Sequence, residues 1–302
     1  MRFRLLLLLI LLNGVAGAWV FLAQDDAKGT SLHVLDIGQG DSILLRSGDV
    51  DVLVDGGPDA TVLQRLSEIR PVLDRKLDVL VLTHPQRDHL AGLLTVLERE
   101  DVGLVLLPEL NSESELFRSF VSELKKRRVP VRFARTGQQL EGRSFTLTVL
   151  APDSRLRELA RKNLNNGSVV LRADVREGGG IEGRFSALLT GDIERPAELH
   201  LVQRWSPLLD VDVLKIPHHG SRTSTSERLL RAVTPQLALV SAGRKNQYGH
   251  PAPAVLARLK GTALLRTDLH GTISLTTRDS RLTLSCSLGC PRSKLAERPR
   301  AR

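Results

Sequence analysis

Thr83-His84-Pro85-Gln86-Arg87-Asp88-His89 follows directly on the apolar run Val79-Leu80-Val81-Leu82. A buried strand that ends in two histidines and an aspartate brings several metal-ligating side chains to one strand edge. Two later stretches repeat the layout. Leu188-Leu189-Thr190-Gly191-Asp192 is an apolar run ending in an aspartate, and Val213-Leu214-Lys215-Ile216-Pro217-His218-His219-Gly220 is one ending in two histidines. Three strand ends tipped with His or Asp are what a shared metal site at one rim of a sheet requires. Any one of these histidines alone reads as a hydrogen-bonded structural residue. Four of the chain's eight histidines lie at these ends, beside such aspartates, and that joint placement favours a metal site.

The chain of 302 residues suits one large domain or two small ones, and its 41% apolar content excludes disorder over most of the length. With aromatics at only 3%, the core must rest on Leu, Val, Ile and Ala, and extended base-stacking platforms are not expected. The net charge of +9 sits mostly at the ends: Arg2 and Arg4 at the start, and Arg292, Lys294, Arg298, Arg300 and Arg302 against a single Glu297 in the tail. A basic balance carried by the ends is a weak pointer to an anionic partner. Lys125-Lys126-Arg127-Arg128 closes a helical stretch, where cations complement the helix C-terminus.

Residues 1–23 read as a signal peptide or an N-terminal membrane anchor. Arg2 and Arg4 precede an apolar stretch from Leu5, and Ala16-Gly17-Ala18 offers a small-residue cleavage site. Counted through Ala23, residues 5–23 are long enough to associate with or cross a bilayer. Either reading places the body outside the cytoplasm, secreted or anchored. Residues 24–31 are a linker, 32–285 the main domain, and 286–302 a basic tail. Cys286 and Cys290, spaced C-x3-C, suit a local disulfide or free thiols, since no tail histidine completes a zinc site.

Strand-like pieces over 32–36, 42–46, 52–55, 77–83, 102–107, 131–134, 145–150, 168–175, 185–190, 211–216, 237–241, 264–267 and 272–276 alternate with helical stretches over 61–70, 90–100, 112–128, 195–205, 226–233 and 254–259. Gly178-Gly179-Gly180 reads as a hairpin tip. This α+β pattern predicts two mixed sheets packed face to face with helices outside. Gly38-Gln39-Gly40-Asp41 lacks the third glycine of a dinucleotide loop, because Ile43 stands there. A tight turn that places Asp41 near the metal rim is the better reading. Asp55 either orients a ligand histidine or simply begins the Gly56-Gly57 turn. His250, with Asn246 and Tyr248, either caps the helix after Pro251 or contacts phosphate and delivers a proton. Ser221, Arg222, Thr223 and Ser224 either hold a phosphodiester or cap a helix.

Taken together, Asp36-Ile37-Gly38-Gln39-Gly40-Asp41, Asp55-Gly56-Gly57, Thr83-His84-Pro85 with Asp88-His89, Asn166-Gly167-Ser168, Gly191-Asp192, Pro217-His218-His219-Gly220-Ser221, Asn246-Gln247-Tyr248-Gly249-His250-Pro251 and Arg266-Thr267-Asp268 with Gly271 resemble the metallo-β-lactamase-fold superfamily. More narrowly, they resemble the extracytoplasmic hydrolase domain of ComEC-type competence proteins, which serve DNA uptake. The multi-pass channel region of those proteins is not in these 302 residues, so the pore is not expected here.

The resemblance implies a four-layer αββα sandwich. It also implies a divalent cofactor, zinc or manganese, with His84 at a first metal position. Asp88, His89 and either His218 or His219 stand at a second position, and Asp192 bridges. It implies catalytic parts for Asp88 and His250, supporting parts for Asp36, Asp41, Asp55 and Gln86, and substrate contacts from Asn166, Ser168, Ser221, Asn246 and Tyr248. The family motif has His or Asp where Gln86 stands, and Asn165, Asn166 and Ser168 occupy the region of a further family histidine. The first position is therefore ligand-poor, and one firm metal with a weak second is expected. The implied reaction is phosphodiester hydrolysis on DNA. A β-lactamase, a small-molecule phosphodiesterase, and a DNA-uptake binding module with a degenerate metal site are the alternatives.

Overall fold

The computed structural model describes residues 29–71, 73–176 and 184–291. The leader, most of the linker, the glycine tip at 178–180 and the tail from 292 onward lie outside the described residues.

Two sheets stack face to face. The first contains β1 (Thr30–Val34), β2 (Ile43–Ser47), β3 (Val50–Val54), β4 (Lys76–Val81), β5 (Asp101–Leu107), β6 (Val131–Phe133), β14 (Ile273–Arg278) and β15 (Arg281–Cys286). Their order is β15-β14-β1-β2-β3-β4-β5-β6. The second contains β7 (Gln139–Glu141), β8 (Phe145–Ala151), β9 (Val170–Arg176), β10 (Arg184–Leu189), β11 (Val213–Lys215), β12 (Leu237–Val240) and β13 (Ala263–Arg266), in the order β13-β12-β11-β10-β9-β8-β7. Each sheet is antiparallel in one half and parallel in the other. The parallel halves run from β3 to β6 and from β10 to β13.

Alternation along the strands explains both faces. Leu32, Val34, Ile43, Leu45, Val52 and Val54 point inward and meet Leu147, Val149, Leu171, Ala173, Ala187 and Leu189 of the second sheet. The intervening Leu44, Leu53 and Leu80 point outward against α1 (Thr61–Ile69), α2 (Arg87–Arg99) and α3 (Glu115–Arg127). The second sheet is covered in the same way by α4 (Ser154–Ala160), α5 (Arg195–Leu209), α6 (Glu227–Val233) and α7 (Pro253–Arg258), while the short α8 (Thr267–His270) follows β13. Strands buried on both faces read as continuous apolar runs, which is why the sequence around Val79 and Leu188 carries so few polar breaks. The result is the expected four-layer αββα sandwich.

The structure changes several boundaries. α2 begins at Arg87, so Asp88 and His89 occupy its first turn, whereas the sequence reading started the helix after His89. Asp88 at the helix N-terminus complements the macrodipole. Four further elements, β7, α4, the short α8 and β15, were not expected. α4 is capped by Asp153, whose Oδ1 accepts from the Leu156 amide at 3.1 Å. β15 carries the chain through to Cys286, which is disulfide-bonded to Cys290. Among the described residues, no helix is long and apolar enough to cross a membrane.

Candidate metal centre

The loops that leave β4, β10, β11 and β12 meet at one rim of the sandwich. Backbone bonds knit them together. The Val169 amide donates to the Thr83 carbonyl at 2.9 Å, and the His218 amide donates to the Gly191 carbonyl at 3.2 Å. Gly40 (φ 134°) permits an unusually close approach, since a Cβ there would lie 2.1 Å from the Asp88 carbonyl oxygen. His218 and His219 both sit in the left-handed region, at φ 51° and 52°. Two consecutive non-glycine residues in that conformation are costly and persist only where surrounding contacts over-determine them, as at functional sites.

Four side chains converge there. Ligand atoms of Asp88, His89, Asp192 and His219 all lie within 4.8 Å of one another. Asp192 Oδ2 is 3.3 Å from both His89 Nε2 and His219 Nε2, and Asp88 Oδ2 is 3.4 Å from His219 Nε2. His218 Nε2 stands farther off, 3.9 Å from Asp192, while its Nδ1 faces Glu194 at 3.3 Å. Of the histidine pair, His219 is thus the one inside the cluster.

The supporting residues fix which ring nitrogen faces the centre. Asp55 can only accept, so His89 Nδ1 donates to its Oδ2 at 2.7 Å. Thr83 gives its hydroxyl proton to the same oxygen at 2.7 Å, so the Thr83 oxygen accepts from His84 Nδ1 at 3.1 Å. His219 Nδ1 donates to the Ser241 carbonyl at 3.0 Å. In all three histidines Nε2 is left facing inward, and all three Nε2 atoms are buried without a hydrogen-bond partner, as are both oxygens of Asp192. A buried pool of lone pairs with no fixed donor is unfavourable on its own; protons on the imidazoles or a divalent cation would satisfy it.

Electrostatics agree. Burial works against an imidazolium at His89 and His219. The carboxylates outweigh it: Asp192, Asp55 and Asp88 raise His89, while Asp192 and Asp41 raise His219, each well above the ordinary histidine range. Burial also opposes the charged form of Asp192, but the two imidazoles hold its pKa well below the usual carboxylate range. A proton on either Nε2 and a cation are competing occupants of the same lone pair. His84 differs: burial and the neighbouring His89 lower its pKa to about 3.

Asp41 is buried, with Oδ2 2.7 Å from Lys215 Nζ and Oδ1 3.3 Å from His219 Nδ1. Gln86 precedes α2, and its carbonyl accepts from the His89 and Leu90 amides. Asp36 stands apart: among the described residues its carboxylate makes no hydrogen bond or ion pair, and its main chain is held by Thr272 and Arg65. Ser168 is fully buried, and its hydroxyl oxygen accepts from the Asp192 amide at 3.2 Å. Asn166 accepts from the Glu194 amide at 3.2 Å. Asn246 spends its amide on the Gly243 and His250 carbonyls and its oxygen on the His250 amide, shaping the loop. Ser221 bonds Thr223.

His250 lies 5.6 Å from His218 and 6.4 Å from His219, ring to ring, and the exposed Tyr248 stacks on it at 5.7 Å. Burial, then the charges of His219 and His218, lower the His250 pKa to about 4. Neutral at neutral pH, it suits contact with substrate better than storage of a proton. Sequence reasoning missed Lys215 and Glu194. The signal for Lys215 was a lone cation inside the apolar run Val213–Ile216.

The metallo-beta-lactamase superfamily matches residues 35–154. The chain is 30% identical over 262 residues to ComE operon protein 3 of Bacillus subtilis, covering 80% of this chain and 32% of that protein. It is 34% identical over 251 residues to competence protein ComA of Neisseria gonorrhoeae, again covering 80% and 32%. The chain thus spans about a third of the length of these relatives. Among solved structures, the metallo-beta-lactamase fold protein YhfI of Bacillus subtilis aligns with a TM-score of 0.53 at 14% identity, covering 82% of this chain and 100% of that one. The CmlA beta-hydroxylase aligns at 0.52 and 17% identity, covering 82% and 53%. At such identities the likeness is one of fold alone.

Proposed function

For a chain that carries a metallo-beta-lactamase-superfamily domain and is similar to ComEC-type competence proteins along most of its described length, we propose a metal-dependent phosphodiesterase that acts on DNA outside the cytoplasm. The observation that carries the metal dependence is the set of inward-facing, unpartnered Nε2 atoms around Asp192. The bound cation, zinc or manganese, supplies polarisation of water and of the phosphoryl group. Asp88, His89, Asp192 and His219 hold it. Asp88 is the ligand side chain open to solvent, at 29% exposure, and is therefore the one set to orient an attacking water. His250 and Tyr248 line the approach and contact the substrate; the low His250 pKa argues against its acting as the proton donor. One cation is held firmly and a second weakly, because Gln86 replaces a charged or imidazole ligand.

DNA as substrate rests on the relatives named competence proteins, and on nothing in the site that would exclude another phosphodiester. The Cys286–Cys290 disulfide and the leader-like residues 1–23 support a compartment outside the cytoplasm. We take 1–23 as leader or anchor, 24–31 as linker, 32–285 as the catalytic unit and 286–302 as tail. Gln86 favours a second reading, a DNA-binding module with a degenerate metal site.

Plasmid degradation with added manganese or zinc, with His89→Ala as control, separates these readings. Nitrocefin and bis-nitrophenyl phosphate run in parallel test β-lactamase and small-molecule phosphodiesterase activity. Cation-dependent plasmid cleavage lost in His89→Ala supports the proposal. Absence of turnover on all three substrates rejects an enzyme.

A further inference from the structure

Residues 121–135 hold six cations, Lys125, Lys126, Arg127, Arg128, Arg132 and Arg135, against the single Glu123. Apart from this stretch and the two termini, acidic residues slightly outnumber basic ones, so the positive excess of the body is gathered here. All six cations are exposed. Glu123 pairs with Lys126 and Arg127. Among the described residues, the side chains of Lys125, Arg128, Arg132 and Arg135 make no hydrogen bond or ion pair. The dipole of α3 accounts for cations in its last turn, but Arg132 and Arg135 lie beyond its reach.

Two apolar side chains stand among these cations. β6 is the outermost strand of the first sheet. Val131 and Phe133 pair in register with Val105 and Leu107, which are buried on the helix side, so both point to that face. They are nevertheless 42% and 46% exposed, and Phe133 is the only exposed phenylalanine among the described residues. α3 ends and β6 begins at the end of the sandwich opposite the metal rim, because β6 runs parallel to β4 through β5. β1 begins at that same end, since it runs antiparallel to β2, β2 antiparallel to β3, and β3 parallel to β4. The leader-like residues 1–23 therefore join the body at this end.

We propose that Lys125, Arg128, Arg132 and Arg135, with Val131 and Phe133, form a surface that docks on an anionic membrane. The mix of side chains selects lipid. A nucleic acid would take the cations and leave Val131 and Phe133 in water. A lipid interface takes both, with headgroup phosphates on the cations and the apolar side chains below them. A strand of only three residues offers an added peptide strand too few ladder bonds. Docking of this kind does not depend on the chemistry at the metal centre.

The test uses residues 24–302, which contain every described element, so that any lipid affinity of residues 1–23 does not enter. Co-sedimentation with equimolar phosphatidylglycerol and phosphatidylcholine vesicles is compared with phosphatidylcholine alone. The wild type should bind the anionic vesicles, release them as salt rises, and ignore the neutral ones. At about fivefold per cation, Lys125→Gln/Arg128→Gln/Arg132→Gln should weaken partitioning on the order of a hundredfold. Phe133→Ser should weaken it severalfold at every salt concentration. These side chains are exposed, so both variants should keep the wild-type unfolding transition. Residues 24–291, without the basic tail, should show the same dependence on the patch. No wild-type binding to anionic vesicles, or binding that survives the triple substitution, overturns the proposal. So does binding that is lost with the tail and indifferent to the patch. A duplex oligonucleotide is titrated in parallel in chelator. If the triple variant loses the oligonucleotide and keeps the vesicles, the patch is a nucleic-acid surface and the membrane assignment is wrong.

Discussion

Replacing Lys215 by methionine isolates the role of a cation that no ligand list would include. Lys215 is fully buried, its Nζ lies 2.7 Å from Asp41 Oδ2, and it also donates to the Ile216 carbonyl at 3.0 Å. At an effective dielectric of about 20, that separation corresponds to a gross attraction of about 6 kcal/mol, much of it offset by desolvation. Burial alone would push Asp41 up; Lys215, followed by His219, instead holds it at about 2. Lys215→Met keeps the volume and leaves Asp41 charged, buried and 3.3 Å from His219 Nδ1. Breaking a buried pair in this way costs about 3–5 kcal/mol. At about 2–4 °C per kcal/mol for a domain of this size, the melting temperature should fall by on the order of 10 °C. Urea unfolding in chelator measures the cost without a metal contribution. The double variant Lys215→Met/Asp41→Asn, which removes the stranded charge, should recover at least half of it. A single-variant cost below about 1 kcal/mol, or a double variant worse than the single one by the full amount of an independent loss, refutes the reasoning.

Gly40→Ala should destabilise the protein by several kcal/mol, because its Cβ would lie 2.1 Å from the Asp88 carbonyl at a φ of 134°; an unfolding curve and metal affinity that both match wild type would contradict the close approach. His33 is buried between Ser31 and Ser274, and burial, then Arg46, lowers its pKa to about 4. A depressed histidine pKa contributes stability above the unfolded value of about 6.5 that is lost as pH falls toward 4, about 3 kcal/mol in all. His33→Gln should flatten that limb of the stability–pH curve, and an unchanged limb would refute the assignment. His89 and His219 carry the opposite sign in the metal-free protein. Their raised pKa values add stability that is complete below the ordinary histidine range and fades as pH rises through the raised values. Cation binding should therefore expel up to about two protons and weaken as pH falls. Calorimetry in buffers of different ionisation enthalpy counts these protons, and a count of zero near neutral pH would contradict the protonated metal-free state.

The sandwich was legible because most of its strands are buried on both faces. Runs such as Val79-Leu80-Val81-Leu82 announce themselves whatever packs against them. β15 was not legible because nearly all of its residues are exposed or half-buried, so no periodic pattern marks it. β7 is three residues long and mostly exposed, and α4 is short, with polar residues between its buried Leu156 and Ala160. The clustered His and Asp side chains were legible because they recur together at three strand ends, a joint placement that single structural residues do not produce. The choice between His218 and His219 was not, because it turns on a left-handed backbone turn that sequence does not encode in any simple pattern. The parts played by Lys215 and Glu194 depend on which loops become neighbours at the rim, and spacing along the chain carries no such information.

Anomalous diffraction from a crystal grown with zinc and recorded at the zinc edge is the most direct test of the buried cluster. A strong peak is expected among Asp88, His89, Asp192 and His219, at bonding distance from His89 Nε2 and His219 Nε2. A fully folded protein with no peak there, or with its strong peak bound to other residues, would contradict it.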